Sequence, residues 1–112
     1  MSPEISNSNN FKRRANEVIP HQTGTFSRSA SHFVEGVYPA YIESANGSHF
    51  TDVDGNEFID YLCGLGPITL GYNYKPVNDA IIQQLTKGIL FSLPHRIEVE
   101  ASELFCKTIP YA

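Results

Sequence analysis

The fold is decided by the stretch Asp52-Val-Asp-Gly-Asn-Glu-Phe-Ile-Asp-Tyr61, in which a polar turn stands between two runs of strand-forming residues. Asp54-Gly55-Asn56 is a typical turn sequence, because glycine and asparagine both tolerate a positive φ angle. Upstream, Asn46-Gly47 separates the strand pattern of Tyr41–Ala45 from that of Ser48–Val53 in the same way. We therefore predict three short antiparallel strands that form a meander.

A glycine-rich loop and two helices are predicted after the sheet. The run Gly64-Leu-Gly-Pro-Ile-Thr-Leu-Gly71 has the composition of a tight loop. Residues 73–87 carry apolar side chains at helical spacing, and Gly88 follows them in the position of a helix-ending glycine. A second helix is predicted between Pro94 and Pro110, because proline is typical of both flanks of a helix.

The residues before the sheet have weaker patterns. Residues 1–17 are predicted as a flexible tail or a short helix, and that helix would run over residues 10–19 from an asparagine cap to a stop at Pro20. Residues 18–40 show no sustained period, so we expect an extended arm that needs a surface to lie against.

The fold class that follows is α+β, with an N-terminal arm, a three-stranded antiparallel meander and two helices. In this scheme residues 41–112 are a partial small domain. A length of 112 residues suits one small domain with a modest core.

Composition excludes several function classes. Eight Lys and Arg stand against twelve Asp and Glu, and the net charge of -4 leaves no excess of cations for a nucleic-acid backbone. The sequence has no apolar run long enough for a membrane span or a signal peptide. Cys63 and Cys106 are isolated, which predicts free thiols in the core of a cytoplasmic protein.

Local motifs for chemistry are weak. Asp52-Val-Asp-Gly-Asn-Glu57 has the carboxylates of a calcium loop, but Gly55 is at the wrong position for one, and a hairpin turn is favoured. The glycine loop is compatible with an anion cradle, yet it lacks both nucleotide-binding fingerprints. The four histidines are scattered, and no serine or cysteine has the setting of a nucleophile. We therefore assign no metal site and no catalytic residue.

Arg28 is the most distinctive polar residue of the arm. It is a lone cation in the neutral stretch Thr25-Phe-Ser-Arg-Ser29 and has no acidic neighbour in sequence. A guanidinium suits the geometry of a carboxylate or a phosphate. The sequence leaves two interpretations open, an anion-binding residue and a solvated side chain on an arm.

Several blocks in fixed order resemble the start of the class III aminotransferases, which are fold-type-I pyridoxal-phosphate enzymes, and within them the glutamate-1-semialdehyde 2,1-aminomutase branch. The blocks are Tyr38-Pro-Ala-Tyr-Ile-Glu43, Gly47-Ser-His-Phe50, Asp52–Tyr61, Gly64–Tyr72 and Phe91–Glu100. The resemblance runs from about Val18 to the last residue.

The resemblance implies a function for a larger protein. Family members transfer an amino group through pyridoxal phosphate, act on small amino-acid or amino-sugar substrates and form homodimers. Their large domain, with the lysine that holds the cofactor, lies beyond the equivalent of Ala112 and is absent here. We therefore expect an N-terminal fragment that is inactive alone and does not bind pyridoxal phosphate stably; its own cofactor-binding residues stay unassigned.

Three substrate-binding residues follow from the resemblance. Arg28 falls at the distance from His21 at which the aminomutase arm places an arginine for the substrate carboxylate. The loop Cys63-Gly-Leu-Gly-Pro67 corresponds to a family loop that lines the substrate pocket, so Leu65 and Gly66 are candidates there. Leu65 stands where the aminomutases have an aromatic residue, which leaves transaminase and aminomutase activity both open.

Two alternatives come from other classes. The chain could be a small non-catalytic binding or regulatory domain that kept this scaffold, and a soluble folded monomer would favour that interpretation. It could also be a truncated product with no independent role.

Overall fold

The computed structural model describes residues 3–111, which contain three α-helices and one three-stranded sheet. The helices are α1 Ser6–Val18, α2 Lys75–Leu85 and α3 Arg96–Thr108, and the strands are β1 Ile42–Asn46, β2 His49–Asp52 and β3 Glu57–Ile59. The chain forms two compact units, of which the first ends at Lys75 and the second begins at Pro76. The predicted α+β class is confirmed.

The sheet is the predicted meander, with strand order β1-β2-β3 and both pairs antiparallel. Phe50 of β2 lies opposite Phe58 of β3, and their rings stack with centroids 5.3 Å apart. Such aromatic cross-strand pairs are a main source of sheet stability. Phe50 is 8% exposed, so the small core of the first unit is built on this pair.

The first hairpin turn lies one residue later than predicted. Asn46 pairs with His49 and is still part of β1, so the two-residue loop is Gly47-Ser48 rather than Asn46-Gly47. Gly47 has φ +56 and takes the first loop position, where a type II′ turn needs a positive φ. The glycine therefore fixes the register, and asparagine is not needed in the loop.

The second turn is held by the carboxylate of Asp52. Its Oδ1 accepts hydrogen bonds from the backbone amides of Asp54 at 3.0 Å and Asn56 at 2.8 Å, and Oδ2 accepts one from the Asn56 amide group at 2.9 Å. Asp52 is 2% exposed. The carboxylates of this stretch thus serve the turn, as the hairpin interpretation predicted.

Helix α1 begins at Ser6, earlier than the predicted start at residue 10. Ile5 supplies no side-chain cap, but the carboxylate of Asp54 accepts hydrogen bonds from the amides of Asn7 at 2.6 Å and Ser8 at 2.9 Å. The Asp54 carboxylate thus caps a helix that starts earlier than expected, and this cap cannot be predicted from the local sequence because Asp54 lies on a distant turn. The helix ends at Val18, before Pro20, as predicted.

The arm over residues 18–40 contains three short 3₁₀ turns instead of one continuous extended run: Pro20–Gln22, Phe26–Arg28 and Ala30–His32. The ring of Phe26 stands edge-on to His21 at 5.2 Å and to His32 at 4.5 Å. Local aromatic contacts thus fold the arm on itself, which a search for sustained periodicity does not detect.

The second unit contains α3 and all of α2 except its first residue, Lys75. Gln84 of α2 donates from Nε2 to the carbonyl of Gly88 at 2.7 Å, and Gly88 has φ +100, as expected after a helix end. His95 caps α3 by accepting from the Ile97 amide at 3.3 Å, while Glu98 accepts from the His95 amide at 2.8 Å. Neither helix has a buried residue.

The two cysteines are free, but the expectation that both lie in the core was wrong. Cys63 is half-buried and Cys106 is exposed on α3. The helix that carries Cys106 buries none of its residues, so its apolar positions are not a core.

Candidate functional site

A cavity of about 400 Å³ lies in the first unit, between the arm, the sheet and the glycine loop. This volume is in the range of small-molecule binding sites. Its walls are formed by Gln22, Thr23, Arg28, Phe33, Tyr38, Pro39, Ala40, Tyr41, Ile42, Phe50, Asp60, Leu62, Gly64, Ile68 and Tyr72. The lining is mostly apolar and aromatic, with one cation and one carboxylate.

Arg28 is the cation of this lining. It closes the 3₁₀ turn Phe26–Arg28, where its backbone amide donates to the carbonyl of Thr25 at 2.9 Å. Within residues 3–111 its guanidinium makes no hydrogen bond or ion pair, and the residue is exposed. The backbone of Arg28 is therefore fixed, while all of its side-chain donors remain free for a ligand.

Three phenols face the same cavity, those of Tyr38, Tyr41 and Tyr72. The ring of Tyr38 stacks on Phe33 with centroids 3.9 Å apart and an angle of 5° between the planes. Burial raises the pKa of Tyr38, and the negative charge of Asp60 raises it further. The aromatic wall is thus neutral and rigid.

Asp60 and Tyr72 form the strongest polar pair of the site. The Tyr72 hydroxyl donates to Oδ2 of Asp60 at 2.6 Å. This hydrogen bond raises the pKa of Tyr72 to about 12, whereas the positive charge of Arg28 acts in the opposite direction. The same bond lowers the pKa of Asp60 against the effect of burial, and the amides of Leu62 and Cys63 lower it further. Asp60 is therefore ionised at neutral pH, with each oxygen occupied by a donor.

The glycine loop between these two residues has an unusual backbone. Positive φ angles occur at Gly64, Gly66 and Gly71, and also at Cys63 with φ +50 and Leu65 with φ +67. A non-glycine residue in this region costs roughly 1–2 kcal/mol. The loop is therefore strained at two positions, and other contacts must hold it in place.

The three substrate-binding candidates do not all reach the cavity. Arg28 is in the lining, whereas Leu65 and Gly66 are outside it, and Leu65 is 62% exposed. Their neighbour Gly64 is in the lining instead. The four consecutive residues Cys63–Gly66 all have positive φ angles, and Leu65 lies on the exposed side of this turn while Gly64 forms part of the wall.

Sequence reasoning missed the pair of Asp60 and Tyr72. An aspartate that ends a strand before a glycine-rich loop is a local sign of a side chain that caps a turn. Its bond to Tyr72, 12 residues further on, has no local sign. Tyr38 was likewise not singled out as a site residue, although it lies in a block that carries the family resemblance.

The arrangement suits binding more than reaction. A free guanidinium beside a mostly apolar wall can hold the carboxylate or phosphate of a small molecule. Within residues 3–111 no group of three His, Cys, Asp or Glu side chains could hold a metal ion. No helix among these residues is long and apolar enough to cross a membrane.

Comparison with known proteins identifies the family. The model of the class-III aminotransferases matches residues 31–111, and the chain belongs to this family. It is 40% identical over 97 residues to the glutamate-1-semialdehyde 2,1-aminomutase of Syntrophomonas wolfei. The aligned region covers 87% of this chain and 22% of that protein. The aminomutase 2 of Lachnoclostridium phytofermentans is 37% identical over 94 residues, covering 83% of this chain and 22% of the relative.

A solved structure shows the same relationship. A transaminase with bound pyridoxal phosphate superimposes with a TM-score of 0.82 and 28% identity, covering 95% of this chain and 24% of its own. Pyridoxal phosphate is the cofactor of the family. The chain spans about a quarter of the length of these relatives.

The cavity does not by itself fit the cofactor. Pyridoxal phosphate is held in enzymes by an imine to a lysine amine. No lysine is in the cavity lining, and Lys12 is paired with Glu35 at 3.1 Å outside it. The lining of this cavity thus supplies no lysine to which the cofactor could be attached.

Proposed function

We propose that this chain is the N-terminal, substrate-facing segment of a pyridoxal-phosphate-dependent transaminase or aminomutase. In that protein Arg28 binds the carboxylate of a small amino-acid or amino-sugar substrate. The observation that carries the proposal is the free guanidinium of Arg28 in the wall of a cavity of about 400 Å³. Family membership supports the reaction class, which is the transfer of an amino group.

The role of this segment is to bind and orient. The guanidinium would hold the carboxylate through two parallel hydrogen bonds, and the aromatic wall would exclude water from the rest of the substrate. Leu65 and Gly66 belong to the proposal as exposed residues of the loop that contributes Gly64 to the wall. The cofactor supplies the chemistry of amino transfer, and its attachment lies in other parts of the enzyme.

The proposal includes an inactive isolated chain and a homodimeric, cytoplasmic enzyme. Inactivity is supported by the lining, which has no lysine. A reducing compartment is supported by the two free cysteines. Dimer formation is supported by the family resemblance, which includes the block Phe91–Glu100, because the resemblance implies a homodimer.

A two-part experiment tests this function. The whole enzyme that carries this segment should convert its bound cofactor to the amino form when a carboxylated amino donor is added, and the cofactor's absorbance should change accordingly. The isolated 112-residue chain, treated with pyridoxal phosphate and borohydride, should show no stoichiometric adduct on any one lysine. A whole enzyme without amino transfer, or a single-site adduct on the isolated chain, would overturn the proposal.

A further inference from the structure

We propose that Asp60 is a positioning residue, which through Tyr72 and two backbone amides holds the glycine loop as the cavity wall that faces an Arg28-bound substrate. The inference rests on the proposed function, because the substrate is the one that Arg28 would bind. It assigns a role to Asp60 and Tyr72, two residues that are not needed to bind the substrate carboxylate itself.

Asp60 holds the beginning of the loop. Its Oδ1 accepts hydrogen bonds from the backbone amides of Leu62 at 2.7 Å and Cys63 at 3.2 Å. Its own amide donates to the carbonyl of Ser48 at 2.8 Å, which ties it to the hairpin turn of the sheet. The carboxylate is therefore anchored to the sheet on one side and to the first loop residues on the other.

Tyr72 holds the end of the loop at the same hairpin. Its backbone amide donates to the carbonyl of Gly47 at 2.8 Å, and its carbonyl accepts from the Gly47 amide at 2.9 Å. Its hydroxyl then closes the loop by donating to Asp60 at 2.6 Å. The backbone of each residue is thus tied to the hairpin, and the Asp60 carboxylate joins the two ends of the loop to each other.

The loop needs such an anchor because its backbone is strained. Cys63 and Leu65 both have positive φ angles, and Gly64 between them lies in the wall of the cavity. Non-glycine residues with a positive φ angle return to ordinary backbone angles when surrounding contacts no longer hold them in place. Loss of the anchor would therefore move the wall formed by Leu62, Gly64 and Ile68 relative to Arg28.

A displaced wall would affect substrate binding more than the chemical step. Contacts that are equal in the ground state and the transition state raise KM when they are lost and leave kcat unchanged. Arg28 is on the arm and does not contact Asp60 through any hydrogen bond within residues 3–111. The binding of the substrate carboxylate by Arg28 is thus separate from the positioning of the loop wall by Asp60.

Variants of the whole enzyme test this role. Tyr72→Phe removes one hydroxyl and should raise KM for a carboxylated amino donor with an apolar body by roughly five- to tenfold, with kcat within about twofold. Asp60→Ala should raise KM further, and Asp60→Asn should recover part of the loss because it keeps an acceptor for the two amides. In Asp60→Asn the alkaline absorbance titration of Tyr72 should move from about 12 towards 10.0, the ordinary value.

The matched control is Asp52→Ala. Asp52 also holds a turn through two backbone amides, and it is 2% exposed, but it is outside the cavity lining. This variant should lower the melting temperature without raising KM. An unchanged KM in Tyr72→Phe would overturn the positioning role. It would also be overturned if the Asp52 and Asp60 variants, for the same loss of melting temperature, raised KM by the same factor. A parent enzyme without amino transfer would instead overturn the proposed function.

Discussion

The backbone amide of Asn7 donates a 2.6 Å hydrogen bond to the carboxylate of Asp54, which is 47 residues further along the chain. The bond joins the first turn of α1 to the turn between β2 and β3. Burial acts to raise the pKa of Asp54, but hydrogen bonds from Ser8 and Asn7 outweigh it and lower the pKa. A carboxylate at this end of a helix also interacts favourably with the helix dipole.

Removal of this cap should shorten α1. We expect Asp54→Ala to reduce the circular dichroism signal at the helix wavelength and to lower the melting temperature, because the amides of Asn7 and Ser8 lose their acceptor. Asp54→Asn should lower the helix signal and the melting temperature by less, since one acceptor oxygen remains. Glu43→Ala removes the same charge from an exposed strand position and is the control. Equal effects of the Asp54→Ala and Glu43→Ala changes would contradict the cap.

Asp60 should make the first unit sensitive to acid. Its pKa is lowered in the folded chain from the ordinary value of 3.8, chiefly by the hydrogen bond from Tyr72. A lowered pKa means that the stabilisation is present above the ordinary value and is lost as the pH falls through the folded value. The melting temperature should fall as the pH drops below the ordinary value of 3.8, and the fall should be shallower in Asp60→Asn. Parallel curves for parent and variant would show that Asp60 does not contribute.

Gly71 should tolerate no side chain. It has φ +81, and a Cβ atom there would lie 3.0 Å from the carbonyl oxygen of Gly47. We expect Gly71→Ala to cost at least roughly 1–2 kcal/mol in unfolding free energy, since the backbone is strained and the neighbour is main chain. Gly24→Ala is the matched control, with no atom within 4 Å of the new Cβ, and denaturant unfolding should place it near the parent. A cost no larger than that of the control would refute the close approach.

The isolated chain should expose apolar surface. Among the described residues only Ala15 and Phe50 are buried hydrophobics, and Leu90 is 93% exposed. Because so little apolar surface is covered, we expect the purified chain to bind a hydrophobic dye and to melt over a broad range. The whole enzyme that carries the segment should not bind the dye. A sharp cooperative melt without dye binding would contradict this expectation and favour an independent binding domain.

The fold followed from the sequence where the determinants are local. The strand-forming runs and the glycine turns between them predicted the three strands, helical spacing predicted α2, and the flanking prolines predicted α3. The start of α1 did not follow, because its cap comes from Asp54 on a distant turn. The 3₁₀ turns of the arm were also missed, since short aromatic contacts leave no period in the sequence.

The site followed from the sequence only in part. Arg28 was identified by its charge in a neutral segment and by its place in the family pattern, and it lies in the cavity wall. Leu65 was identified by its place in the same pattern, but it lies outside that wall, in a run of positive φ angles that the sequence does not reveal at a non-glycine position. The bond between Asp60 and Tyr72 joins two ends of a loop, and only the folded backbone brings these residues together.

The most direct test of the account is the kcat/KM of Arg28→Ala in the whole enzyme, measured with a carboxylated amino donor and with a donor of similar size without a carboxylate. Loss of a charge-assisted pair costs about 1.5–3 kcal/mol, so the value for the carboxylated donor should fall by roughly tenfold to more than a hundredfold. Arg28→Lys should recover only part, because an ammonium cannot form the paired hydrogen bonds. The other donor should be nearly unaffected. A change within about twofold for the carboxylated donor would contradict the account and make Arg28 a solvated residue of the arm.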